Sequence, residues 1–66
     1  MINNLASYRK KEKISQIDLA NKLGIAVRTL SKYESPTFNL KELSIVELEK
    51  ICEILNIKIR DLVEIL

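Results

Sequence analysis

The sequence predicts an all-α protein: five short helices around one small core, with a helix-turn-helix formed by the second and third. Three observations carry this expectation. Apolar residues recur at helical spacing nearly throughout, and no stretch alternates cleanly enough for a strand. Ser15 in SQID and Ser44 in SIVE each stand three residues before an acid, the pattern of a capping box. The only glycine, Gly24, separates two short helical blocks.

The first helix is expected over Asn4 to Lys11, with Leu5 and Tyr8 facing inward and Ile2 as a further inward residue. The second starts at Ser15, whose hydroxyl can accept from a free backbone N–H while Asp18 supplies the acid of the box. Leu19, Ala20 and Leu23 form its buried face. Gly24 ends it where a left-handed backbone costs least, and Ile25 plugs back into the core. The third helix runs from Val27 to Tyr33 with Leu30 as its inner anchor. Ala26 stands where a capping side chain is expected and has no atom to cap with. The following ESPTFNLKEL reads as irregular, because Ser35-Pro36 disfavours helix at Ser35 and Asn39 is a turn former. Ser44 opens the fourth helix, which places Ile45, Leu48, Ile51, Cys52 and Leu55 on one side. Asn56 breaks it and Ile57 plugs the end. A last helix covers Ile59 to Ile65, with Leu62 inward.

A chain of 66 residues makes one domain, spanning residues 1–66. A domain this small buries only about 60% of its unfolded surface, so the core is thin and must be densely apolar. The 47% hydrophobic content fits a packed fold rather than disorder. Cys52, the single cysteine, has no disulfide partner within the chain and reads as a core residue. With no histidine, a protein-built zinc site is not expected, and no cofactor is implied. Neither GxGxxG nor GxxxxGK[ST] occurs, and no nucleophile, base and acid can be assembled, so catalysis is not expected. No apolar run approaches the ~20 residues that cross a bilayer. The opening MINNLASYRKKEK places its charges after its apolar residues, the reverse of a signal peptide, and a cytoplasmic location is the expectation.

Charge is divided along the chain. Residues 1–32 hold seven Lys/Arg against two Asp/Glu, a balance of +5, and residues 33–66 hold four against seven, a balance of −3. A basic half suits a polyanion, and an acidic half would face away from it. A helix-turn-helix suits the same partner, since the major groove of DNA, about 12 Å wide, admits one helix while the other lies across the backbone. With Leu30 inward, Val27, Arg28, Ser31 and Lys32 occupy the outward positions of the third helix. Arg28 can bond both acceptors of a guanine edge, Lys32 reaches guanine or a phosphate, Val27 can pack on a thymine methyl, and Ser31 is short enough for close approach. Thr29 is assigned to the DNA backbone or the neighbouring helix. Gln16, first in the second helix, can donate to a phosphate, and Lys10, Lys11, Lys13, Lys22 and Lys41 are further phosphate candidates. Arg9 and Glu34 flank helix ends that converge, and are expected to form a structural ion pair.

The chain also resembles the lambda-repressor-like, Cro/C1-type helix-turn-helix domains, the xenobiotic-response-element family. SQxxLAxxLGI, TLSxYE and a final LNIxxxDL occur in that order, and the likeness covers nearly the whole chain. The resemblance implies five helices and operator binding as dimers, frequently by repressors. By position it assigns phosphate binding to Gln16, base reading to Val27, Arg28 and Lys32 with Ser31 close by, and the helix-tying pair to Arg9 and Glu34. It also implies phosphate contacts between Thr37 and Ser44, and dimer contacts in the segment Ile57 to Leu66. Two departures stand out: Ala26 replaces the usual Ser or Thr, and SPTFNLKEL is longer than the common loop and lacks its glycine and basic cluster.

The function expected is a sequence-specific double-stranded DNA-binding transcriptional regulator, a repressor that binds an inverted-repeat operator as a homodimer. Val46, Ile54, Ile59, Val63 and Leu66 supply more exposed apolar residues than a small monomer needs, and Ile54, Ile57, Ile59, Val63 and Leu66 are the candidate dimer contacts. The alternative is a protein-interaction module on the same scaffold, an antirepressor, antitoxin or inhibitor, engaging a protein through the loop carrying Phe38. Phe38 and Leu40 either fold back as an added plug or face that partner.

Overall fold

The computed structural model describes residues 4–62. Among them the chain forms α1 (Leu5–Lys11), α2 (Gln16–Leu23), α3 (Val27–Tyr33), α4 (Ile45–Leu55) and α5 (Ile59–Leu62), with one 3-10 turn at Leu40–Glu42 and no strand. The expected continuation of α5 to Ile65, the inward Ile2, and the dimer candidates Val63 and Leu66 lie outside the described residues.

Two of the helix starts, those of α2 and α4, carry side-chain caps. Ser15 Oγ accepts from the Asp18 amide at 3.1 Å, and Ser44 Oγ accepts from the Glu47 amide at 3.2 Å. Ala26 has the extended backbone of a cap residue (φ −72°, ψ 149°) but makes no side-chain bond, so α3 begins with its first amides uncapped.

Three helices end in one manner. Lys13, Gly24 and Asn56 adopt φ of 58°, 72° and 57°, the left-handed region. The isoleucine that follows each one donates its amide back into the finished helix: Ile14 to Arg9 O at 3.2 Å, Ile25 to Ala20 O at 3.0 Å, Ile57 to Cys52 O at 3.0 Å. This six-to-one bond satisfies a carbonyl that the helix end orphans, and each isoleucine packs against the core. Gly24 meets the left-handed requirement without strain, whereas Lys13 does so with a full side chain.

The core is Leu5 from α1, Leu19 and Ala20 from α2, Leu30 from α3, Leu40 from the 3-10 turn, Leu48, Ile51, Cys52 and Leu55 from α4, and Leu62 from α5. α2 packs most closely on α3, and α4 supports α2 on one side and α5 on the other. The loop after α3 contributes to this packing. Leu40 is buried, and Phe38 is half-buried with its ring centroid 5.1 Å from that of Tyr33. Of the two alternatives for this loop, the inward plug is the one observed. Asn39 Oδ1 accepts from the Lys41 amide at 3.0 Å, which starts the 3-10 turn that brings Leu40 under the fold.

Two expectations about burial require correction. Ile45, placed by spacing on the inner stripe of α4, is 58% exposed. It is the first residue of its helix, where a side chain leans back toward the N-terminus and projects past the end of the core. Ile54 and Ile59, expected to be exposed, are half-buried against the core. Val46 is exposed as expected, and Ile17 is a further exposed apolar residue.

Candidate nucleic-acid interface

The geometry of α3 follows from one buried contact. Leu30 has no exposed surface, which fixes the rotation of a seven-residue helix about its axis. On the remaining surface Arg28, Ser31 and Lys32 are exposed and Val27 is 38% exposed. Thr29 is half-buried, less exposed than Arg28, Ser31 and Lys32. Arg28, Ser31 and Lys32 stand three and four residues apart, so they share one face, with Val27 at its leading edge.

The end of α3 is held from two sides. Tyr33 Oη donates to Glu47 Oε2 at 3.3 Å, and Ser44 Oγ donates to Glu47 Oε1 at 3.3 Å, which ties the exit of α3 to the first turn of α4. Burial, and then the charge and hydrogen bond of Glu47, push the Tyr33 hydroxyl pKa above its ordinary value. On the other side Glu34 meets Arg9 of α1, Nε to Oε2 at 2.6 Å and Nη2 to Oε1 at 3.2 Å. Their side chains are 10% and 6% exposed respectively, so this pair is largely out of water. Arg9 Nη1 also donates to the Ile14 carbonyl at 2.9 Å. One guanidinium therefore joins α1, the turn after it and the residue that closes α3.

Gln16 opens α2 and is half-buried. Its Nε2 donates to Glu34 Oε1 at 2.9 Å. The sequence assigned Gln16 to a phosphate alone; this contact joins the first residue of α2 to the residue that closes α3 and exists only once the two pack together. Lys10, Lys11, Lys13, Lys22 and Lys41 are exposed. Lys10 and Lys11 stand in the last turn of α1, Lys22 in that of α2 and Lys32 in that of α3, where each also complements the negative end of its helix. A largely apolar recess lined by Leu23, Ile25, Tyr33, Val46 and Ile51 together with Glu47 and Lys50 lies between α2, α3 and α4, and none of the base-reading candidates lines it. Among the described residues no three His, Cys, Asp or Glu side chains group to hold a metal, and no helix is long and apolar enough to cross a membrane.

Two helices joined by a tight glycine turn, the second exposing Arg and Lys beside short residues, define a helix-turn-helix DNA-binding domain. A family model described as the Cro/C1-type HTH DNA-binding domain matches residues 4–66, and the chain belongs to that family. The family places it among DNA-binding transcription regulators. No curated protein matches the sequence.

Proposed function

We propose that this protein is a repressor that reads an inverted-repeat operator in duplex DNA as a homodimer. The observation that supports this best is the exposed face of Val27, Arg28, Ser31 and Lys32 opposite a fully buried Leu30. In this reading α3 enters the major groove. Arg28 bonds a guanine edge, Lys32 reaches a second guanine or a phosphate one turn on, Val27 packs on a thymine methyl, and Ser31 allows close approach. Gln16, Thr29 and the lysines at 10, 11, 13, 22 and 41 bind phosphates and set the register without reading sequence.

A single domain of this size offers few contacts, so two subunits would supply the affinity, with recognition helices one helical turn of DNA, about 34 Å, apart. Ile54, Ile57 and Ile59 support the dimer, because each keeps part of its apolar surface uncovered around the end of α4 and the turn into α5. The bound dimer would repress by occupancy, covering a promoter that polymerase needs.

Paired substitutions test this. Arg28→Ala should weaken binding to the preferred sequence by about 1–3 kcal/mol and relax the base preference at one position. Lys22→Ala should weaken binding evenly across sequences and reduce the salt dependence by about one phosphate. Identical affinity in both variants and the wild type would refute the reading.

A further inference from the structure

Glu34 is placed oddly for a residue beside a DNA-binding surface. It is an acid, its side chain is 6% exposed, and both its oxygens are occupied. Oε2 accepts from Arg9 Nε at 2.6 Å, while Oε1 accepts from Arg9 Nη2 at 3.2 Å and from Gln16 Nε2 at 2.9 Å. A carboxylate only accepts, so the Gln16 amide must meet it with nitrogen and not with oxygen. That choice removes the ambiguity of an amide that otherwise presents either end. The nitrogen carries two hydrogens, Glu34 takes one, and the second is left for an acceptor from outside the protein. Arg9 matches the charge of Glu34, so the carboxylate can stand behind Gln16 without repelling an approaching phosphate.

We propose that Glu34, held by Arg9, is a positioning residue that orients the second amide N–H of Gln16 toward a phosphate oxygen of bound DNA. The proposal rests on the duplex-binding reading above. Its physical content is preorganisation: a glutamine already held at one N–H has less rotamer freedom to lose when DNA arrives. Gln16 is uncharged, so its contact adds affinity without adding to the counterions released.

A double-mutant cycle on the full chain tests it. Binding of wild type, Gln16→Met, Glu34→Gln and the double variant is measured on one duplex across a salt series. Each single change should weaken binding on the order of tenfold, Gln16→Met with the salt slope unchanged, and the double should be no weaker than either single. Thermal unfolding of the same four proteins gives the coupling of the two residues in stability, and a coupling in binding that exceeds it separates aiming from folding. Gln16→Asn covers the case in which Glu34→Gln fails to fold. One methylene shorter, its amide cannot both keep Glu34 and reach the phosphate, so it should bind as poorly as Gln16→Met. In free wild-type protein, one Gln16 side-chain amide proton should resonate downfield and exchange slowly. Additive losses in the cycle, full binding by Gln16→Met or Gln16→Asn, or Gln16 amide protons that both show the shifts and fast exchange of a solvent-exposed glutamine would each overturn the proposal while leaving duplex binding intact. Wild-type protein that binds no duplex would overturn the underlying reading as well.

Discussion

Arg9 and Glu34 meet across twenty-five residues of chain in a two-pronged contact, and the same guanidinium reaches the Ile14 carbonyl at 2.9 Å. Desolvating both ions offsets much of their attraction, so the pair contributes geometry more surely than stability. Breaking it is another matter. Arg9→Met should strand a carboxylate that is 6% exposed and cost about 3–5 kcal/mol, a large part of the roughly 3–10 kcal/mol that holds a chain of this length together. Arg9→Met combined with Glu34→Leu should recover much of the loss. Circular-dichroism melts compare the three proteins, and a single variant as stable as wild type would remove the structural role given to the pair.

Lys13 holds φ of 58° with a full side chain at the end of α1. Lys13→Gly should relieve that strain and stabilise the fold by roughly 0.5–1 kcal/mol. If Lys13 also contacts a phosphate, the same variant should bind DNA less tightly, with the salt slope reduced by about 0.9. Greater stability with unchanged DNA binding would remove Lys13 from the phosphate contacts.

Ala26 already has the backbone of a helix cap and lacks only the oxygen. Ala26→Ser should therefore add about 0.5–2 kcal/mol of stability, measured as a shift in urea midpoint. No shift would mean that the first amides of α3 are satisfied by other groups.

Burial and the neighbouring Asp61 push the Cys52 thiol above its ordinary 9.0, and burial with Glu47 pushes Tyr33 above its ordinary 10.0. Both groups deprotonate more readily in the unfolded chain than in the folded one. The stability they contribute is complete below pH 9.0 and is lost as pH rises through 10.0 and the raised folded values. Urea midpoints should fall on the alkaline side. Cys52→Ala should flatten the lower part of the decline and Tyr33→Phe the upper part. An unchanged slope in both variants would contradict the assignment.

Local chemistry was readable from the residues themselves. Ser15, Ser44, Gly24 and Asn56 mark helix ends through atoms within a few positions, and the structure places all four as expected. The same signal was present before Ile14 but hidden, because Lys13 carries the left-handed turn that Gly24 and Asn56 announce by residue type. Ile45 was misplaced because spacing tells which side of α4 is apolar but not where the neighbouring layer stops. The inward turn of Phe38 and Leu40 depends on a half-buried Tyr33 waiting across the loop, which no local pattern encodes. In the candidate site, the outward face of α3 was legible from the position of Leu30, whereas the bond between Gln16 and Glu34 needs the packed fold to exist.

In the proposed function, the face of α3 carrying Arg28 and Lys32 reads base sequence. Selection of this protein on random duplex DNA at one fixed salt concentration is the decisive measurement. The expected result is enrichment of an inverted repeat whose half-sites lie about 34 Å apart, with one position losing its preference in Arg28→Ala. Flat enrichment, with no motif recovered by the wild-type protein, would contradict it.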